Sequence, residues 1–114
     1  MPYIAVNTSQ TLSADQKEKI KTELGRLITL IPGKTEAVTL IDFSDSRTIY
    51  KNGVKVTGAF IDVRLFQKAD FEPKKLFTEK VFVLFSKELG IEKENMYLTI
   101  VEFENWGFAG TLIS

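Results

Sequence analysis

AFIDVRLFQKADFEPKKLFTEKVFVLFSKELG, residues 59–90, holds two periodicities in one run. Across Ala59–Phe66 the alternation is strict: Ala59, Ile61, Val63 and Leu65 fall on one side, and Phe60, Asp62, Arg64 and Phe66 on the other. That is the period of a strand. Pro73 then suits the first turn of a helix, and the period lengthens. Phe77, Val81, Leu84, Phe85 and Glu88 share a side, Leu76, Phe82 and Leu89 widen the apolar stripe, and Gly90 marks the stop. Met96–Phe103 reads as the next strand. Strand, helix, glycine stop, strand is a βαβ unit, whose crossover is right-handed in nearly every case.

Working outward, the N-terminal part repeats the order. Pro2–Thr8 alternates as a strand, with Tyr3, Ala5 and Asn7 on one side and Ile4 and Val6 on the other. Proline at the first residue of a strand is tolerated because no ladder donor is lost there. Ser13-Ala14-Asp15-Gln16 has capping-box spacing, and Ile20, Leu24, Leu27, Ile28 and Ile31 follow at helical spacing up to Pro32-Gly33. Val38–Phe43 reads as the second strand of this unit. Between the units, Asn52-Gly53 inside Thr48–Val56 signals a small two-residue hairpin. A glycine-rich tail, Asn105 to Gly110, follows the last strand.

The predicted fold is therefore α+β: two βαβ units forming a four-stranded mixed sheet with two helices on one face, as a single domain over 1–114. The sheet's other face is expected to carry Tyr3, Asn7, Thr39, Ile41, Phe43, Phe60, Phe66, Thr99, Val101 and Phe103. A patch that apolar implies an oligomer with its sheets packed inward.

Composition narrows the chemistry. Lys plus Arg and Asp plus Glu number 15 each, without a like-charge run, which argues against a nucleic-acid or anionic-membrane partner. The absence of cysteine and histidine removes thiol nucleophiles, Cys/His metal sites and Ser-His-Asp triads. No metal or cofactor is expected. No stretch approaches the roughly 20 apolar residues of a membrane helix, so a cytoplasmic protein is expected, or one secreted without a signal peptide. The acid-base groups left are carboxylates, lysines, tyrosines and the chain terminus.

The parts together resemble the tautomerase superfamily, and most closely the macrophage migration inhibitory factor family of phenylpyruvate and dopachrome tautomerases. The resemblance runs over nearly the whole chain: the MPYIAVNT start, two βαβ units, Gly33-Lys34 after the first helix, Met96-Tyr97-Leu98-Thr99, and the NWGFAG tail. It implies a homotrimer with active sites at subunit interfaces and a cofactor-free keto-enol tautomerase acting on phenylpyruvate-like α-keto acids. It further implies that Pro2, freed by removal of Met1, is the general base. A terminal amine titrates near pH 8, and partial burial brings it toward neutrality, where a base suits proton transfer beside a carbonyl. With Met1 in place, Pro2 carries an amide nitrogen and no basic lone pair.

By the same resemblance Lys34 holds the substrate carboxylate, the Phe66 amide assists it, and Tyr97 comes from a neighbouring subunit. Trp106, Phe108 and Ile113 fall at apolar pocket positions suited to an aryl side chain. Thr99 stands where the mammalian proteins have asparagine, and Arg64 near a position often held by histidine. Arg64 with Asp62 also points toward the decarboxylase and dehalogenase branches; an ion pair between the two is the plainer reading. The charged segment Ser44–Val56 departs from the glycine-rich stretch that normally edges the pocket. That departure, with Thr99, motivates the alternative: a non-catalytic trimeric protein-binding or cytokine-like signalling module on the same scaffold.

Overall fold

A computed structural model describes residues 1–114. Strand β5 (Ala59–Phe66) lies at the centre of a four-stranded sheet of order β2-β1-β5-β6, with β1 Pro2–Thr8, β2 Leu40–Ser44 and β6 Met96–Phe103. β1 runs parallel to β2 and β5 parallel to β6, whereas β1 and β5 are antiparallel. Two parallel βαβ units thus meet along one antiparallel seam.

Helix α1 (Ala14–Leu27) begins at Ser13, whose hydroxyl accepts from the Gln16 amide while the Gln16 side chain accepts from the Ser13 amide. Helix α2 (Phe71–Leu89) ends at Gly90, whose φ of 65° is the left-handed conformation that glycine adopts without a Cβ penalty. Both helices cover the same sheet face. Ile4 and Val6 of β1 oppose Val63 and Ile61 of β5. With Ile20, Leu24 and Ile28 from the first helical segment, and Phe77, Val81 and Phe85 from α2, they build a core of fully buried side chains. Each such side chain contributes about 1.5–3 kcal/mol through removal from water.

Four local expectations are corrected. The α-helix stops at Leu27 and tightens into a 3-10 turn over Ile28–Leu30, so Gly33 shapes the following turn rather than the helix end. Glu36–Val38 forms another such turn, and β2 therefore starts at Leu40 instead of Val38. Ile41 and Phe43 pair with Ile4 and Val6 and pack against the helix-side core, not on the open face. Leu40 and Asp42 take their place there, because the register against β1 sets Leu40 beside Tyr3 and Asp42 beside Ala5, and Ile41 and Phe43 beside the core residues Ile4 and Val6. Finally, the tail is a hairpin, β7 (Trp106–Phe108) with β8 (Thr111–Ile113). Its Ala109-Gly110 turn has φ of 52° and 87°; alanine is uncommon there, so the usual Asn-Gly signal is absent.

The hairpin read from Asn52-Gly53 is present as β3 (Tyr50–Lys51) and β4 (Val54–Lys55), with positive φ at both turn residues.

Candidate functional site

Pro2 opens β1 opposite Leu65 and is buried. One residue ahead of it, the Met1 carbonyl accepts a hydrogen bond from the Phe66 amide at 3.2 Å. Lys34 reaches the same place from another direction. The turn after Ile31 is closed by the Lys34 amide on the Ile31 carbonyl at 3.1 Å. The half-buried Lys34 side chain then extends so that Nζ donates to the Phe66 carbonyl at 2.6 Å. The two peptide groups of Phe66 thereby tie the N-terminus and Lys34 together, although 32 residues separate Lys34 from Phe66.

The electrostatics follow from that closeness. Burial pushes the Lys34 ammonium below its ordinary pKa, and the charge of Glu102 works against the shift. The Met1 α-amine also lies below its ordinary value, first through burial and then through the Lys34 charge. Glu102 is held below the usual carboxylate range by the Ala69 amide, which donates to it at 2.5 Å; Lys74 adds to this from 3.2 Å. Two amines compete for one partly desolvated corner. An entering carboxylate would relieve both.

An aromatic wall stands beside it. The rings of Phe66 and Trp106 are 6.4 Å apart, and Phe103 meets Trp106 edge-on at 6.1 Å. Ile113 pairs with Trp106 across the β7–β8 hairpin, while Phe108 sits nearer the turn, opposite Thr111, and is exposed. Pro2, Lys34, Phe66, Trp106 and Ile113 are thus gathered at one end of the sheet. The hairpin that delivers Trp106 is the element that sequence reasoning missed.

Tyr97 and Thr99 are not gathered there. Tyr97 pairs with Phe60, whereas Phe103 pairs with Phe66; six residues of strand put Tyr97 about 20 Å away. It lines a separate cavity of about 450 Å³. Thr99 pairs with Asp62 on the open sheet face. Arg64 lies on that face as well, ion-paired to Asp62 at 3.1 Å and stacked 5.4 Å over Tyr3, whose hydroxyl donates to Asp42 at 2.9 Å. Its nearest cleft also contains Trp106 and Phe103.

No protein-family model and no curated protein matches the sequence. The backbone does have counterparts among solved structures. It superposes on Leishmania major MIF2 with a TM-score of 0.91 at 23% identity, covering 99% of this chain and 97% of that one. The chain has the macrophage migration inhibitory factor fold. A macrophage migration inhibitory factor-like protein from Entamoeba histolytica matches with a TM-score of 0.84 at 21% identity, over 98% of each chain. A third structure, Pt0534 inactivated by 2-oxo-3-pentynoate, matches with a TM-score of 0.84 at 16% identity, over 95% of this chain and 93% of that one. At these identities the likeness establishes architecture. No helix of the protein is long and apolar enough to cross a membrane.

Proposed function

We propose that this protein is a cofactor-independent keto-enol tautomerase of phenylpyruvate-like α-keto acids, working as a homotrimer. The observation that carries the reading is the convergence of Lys34 Nζ, the Phe66 peptide and the start of β1 on one corner. The neighbour inactivated by 2-oxo-3-pentynoate, itself a 2-keto acid, supports a keto-acid substrate.

In this mechanism removal of Met1 does two things. It turns the Pro2 nitrogen into a secondary amine, and it releases the Phe66 amide from the Met1 carbonyl. The substrate carboxylate takes the released amide and the Lys34 ammonium, a charge-assisted arrangement. Pro2 removes a proton from the carbon next to the ketone as the enolate forms, and the Pro2 ammonium then gives that proton to the oxygen, which yields the enol and restores the free amine. The reverse direction uses the same steps. Tyr97 of a neighbouring protomer donates toward the developing oxyanion. The same burial and the same Lys34 charge that lower the Met1 amine act on an amine at Pro2, favouring the basic form. Trp106, Phe108 and Ile113 receive the aryl group.

The trimer is inferred from the open sheet face. Leu40 is 71% exposed and Val101 46%, with Phe60, Tyr97 and Phe103 alongside. Sedimentation equilibrium should return three times the 12.9 kDa chain mass, and Val101→Glu should shift the protein toward smaller species. A wild-type monomer at micromolar concentration would refute the trimer.

The test of the function is phenylpyruvate turnover by protein shown by intact mass to start at Pro2. Turnover supports the reading; its absence favours the non-catalytic binding module, which the closed Phe66–Met1 hydrogen bond would also suit.

A further inference from the structure

The cavity lined by Tyr97 does not take part in the corner around Pro2. It lies beneath the β3–β4 hairpin, walled by Ile49, Tyr50, Val56, Phe60 and Tyr97, and Arg47 and Lys51 enter it. No Asp or Glu lines it. Neither cation forms an ion pair within the protomer, where all six pairs involve other residues. The Arg47 guanidinium has no hydrogen-bond partner among the protomer's side-chain bonds. The Lys51 ammonium donates only to the Glu94 backbone carbonyl and sits 5.5 Å over the Tyr97 ring. Donors therefore remain on both, since arginine has five and lysine three.

The frame around them is tied down. The Arg47 amide donates to the Thr8 carbonyl at 3.1 Å, Ser46 to Gln10 at 2.8 Å, and Val56 to Ile49 at 3.0 Å. Gly58 brings the hairpin's far end against the Asn95 backbone: a Cβ there would lie 2.7 Å from the Asn95 carbonyl oxygen. Two cations held over an apolar, aromatic-walled space of this size suit a ligand with a ring body and an acidic end.

We infer that this cavity is an anion-selective subsite in which Arg47 and Lys51 receive a second acidic group on the tail of an aryl 2-keto acid. The link to the substrate rests on the tautomerase reading above, through Tyr97. Within one protomer the cavity is about 20 Å of strand from Lys34, too far for one small molecule to span. If Tyr97 meets a neighbour's Pro2, the cavity opens at that junction, with the keto-acid end on one protomer and the tail on the other.

Calorimetry with two non-reactive probes tests this: phenylpropionate and para-carboxyphenylpropionate. The wild-type protein starting at Pro2 should bind the diacid about tenfold more tightly, the scale of one charge-assisted contact. The preference should shrink with added salt. Arg47→Ala with Lys51→Ala should bring the ratio close to one, while Arg47→Lys with Lys51→Arg should retain it. Equal binding by the wild type, or a preference that survives the alanine pair, overturns the inference. Phenylpyruvate and its para-carboxy derivative are assayed in parallel. Turnover without the binding preference removes the subsite and leaves the tautomerase standing; the preference without turnover upholds the anion site and removes the tautomerase.

Discussion

Protein that retains Met1 should turn over phenylpyruvate about 10²–10⁴-fold more slowly, in kcat/KM, than protein that begins at Pro2, the range general-base catalysis contributes. Two separate losses lie behind that expectation. An acylated proline nitrogen has its lone pair delocalised into the amide, so no base exists at any pH. The Met1 carbonyl also occupies the Phe66 amide at 3.2 Å, removing a donor for the substrate carboxylate. Intact mass assigns each preparation, and matching circular dichroism and sedimentation show that only the terminus differs. Equal rates from the two forms would sink Pro2 as the base. A pH profile adds a second check. On the active form kcat/KM should fall on the acid side as the amine protonates, with a midpoint below the ordinary α-amine value, since burial and the Lys34 charge both disfavour the ammonium form.

Lys34→Ala should raise KM for phenylpyruvate by roughly ten- to a hundredfold, corresponding to the loss of a charge-assisted hydrogen bond of about 1.5–3 kcal/mol. A general structural defect could raise KM as well, so the pH profile is the discriminating readout. After burial, the positive charge of Lys34 lowers the pKa of the Met1 α-amine, and the same charge would act on an amine at Pro2. Its removal should therefore move the acid limb to higher pH. Lys34→Arg keeps the charge and should leave the limb near its wild-type position, even where the different reach of the guanidinium changes KM. A limb that stays put in Lys34→Ala would mean that Lys34 does not act on the base. The lost hydrogen bond to the Phe66 carbonyl is a smaller matter, because that carbonyl can turn to water at the half-buried site.

Much of the fold is legible in the linear chain. The alternating runs Pro2–Thr8 and Ala59–Phe66 and the strand-forming run Met96–Phe103 mark three strands to the residue, because in a strand alternate side chains fall on opposite faces of the sheet. Ser13 with Gln16, Asn52 with Gly53, and Gly90 announce their caps and turn through chemistry contained within a few residues. Where structure and expectation part, a local preference is outweighed. Val38 and Thr39 are good strand formers, yet Glu36–Val38 makes a tight turn on the way into β2 and the chain enters the sheet two residues later. The face that Ile41 and Phe43 take is set by the register of β2 against β1, which pairs them with Ile4 and Val6. The Trp106–Ile113 hairpin escapes a sequence reading because an Ala-Gly turn with positive φ carries no compositional signal.

The candidate site divides along the same line. Pro2 and Lys34 stand out by motif and by their places at a strand start and beyond a helix end, and a resemblance supplies their roles. Nothing in the linear chain says that Phe66 presents its amide to Met1 and its carbonyl to Lys34, or that Trp106 stacks toward Phe66. Those meetings depend on the register of β1 against β5 and on where the β7–β8 hairpin lands, both of which are pairings between residues far apart in the chain. The sequence alone determined the elements, the two βαβ units and the kinds of group available for chemistry, because these follow from periodicity and composition at short range. The tertiary structure alone decided which groups meet: Lys34 with Phe66, Tyr97 far from both, and Arg47 and Lys51 over an apolar cavity. Sheet register and loop landing are set by the packing of the whole core, and no stretch of a few residues encodes them.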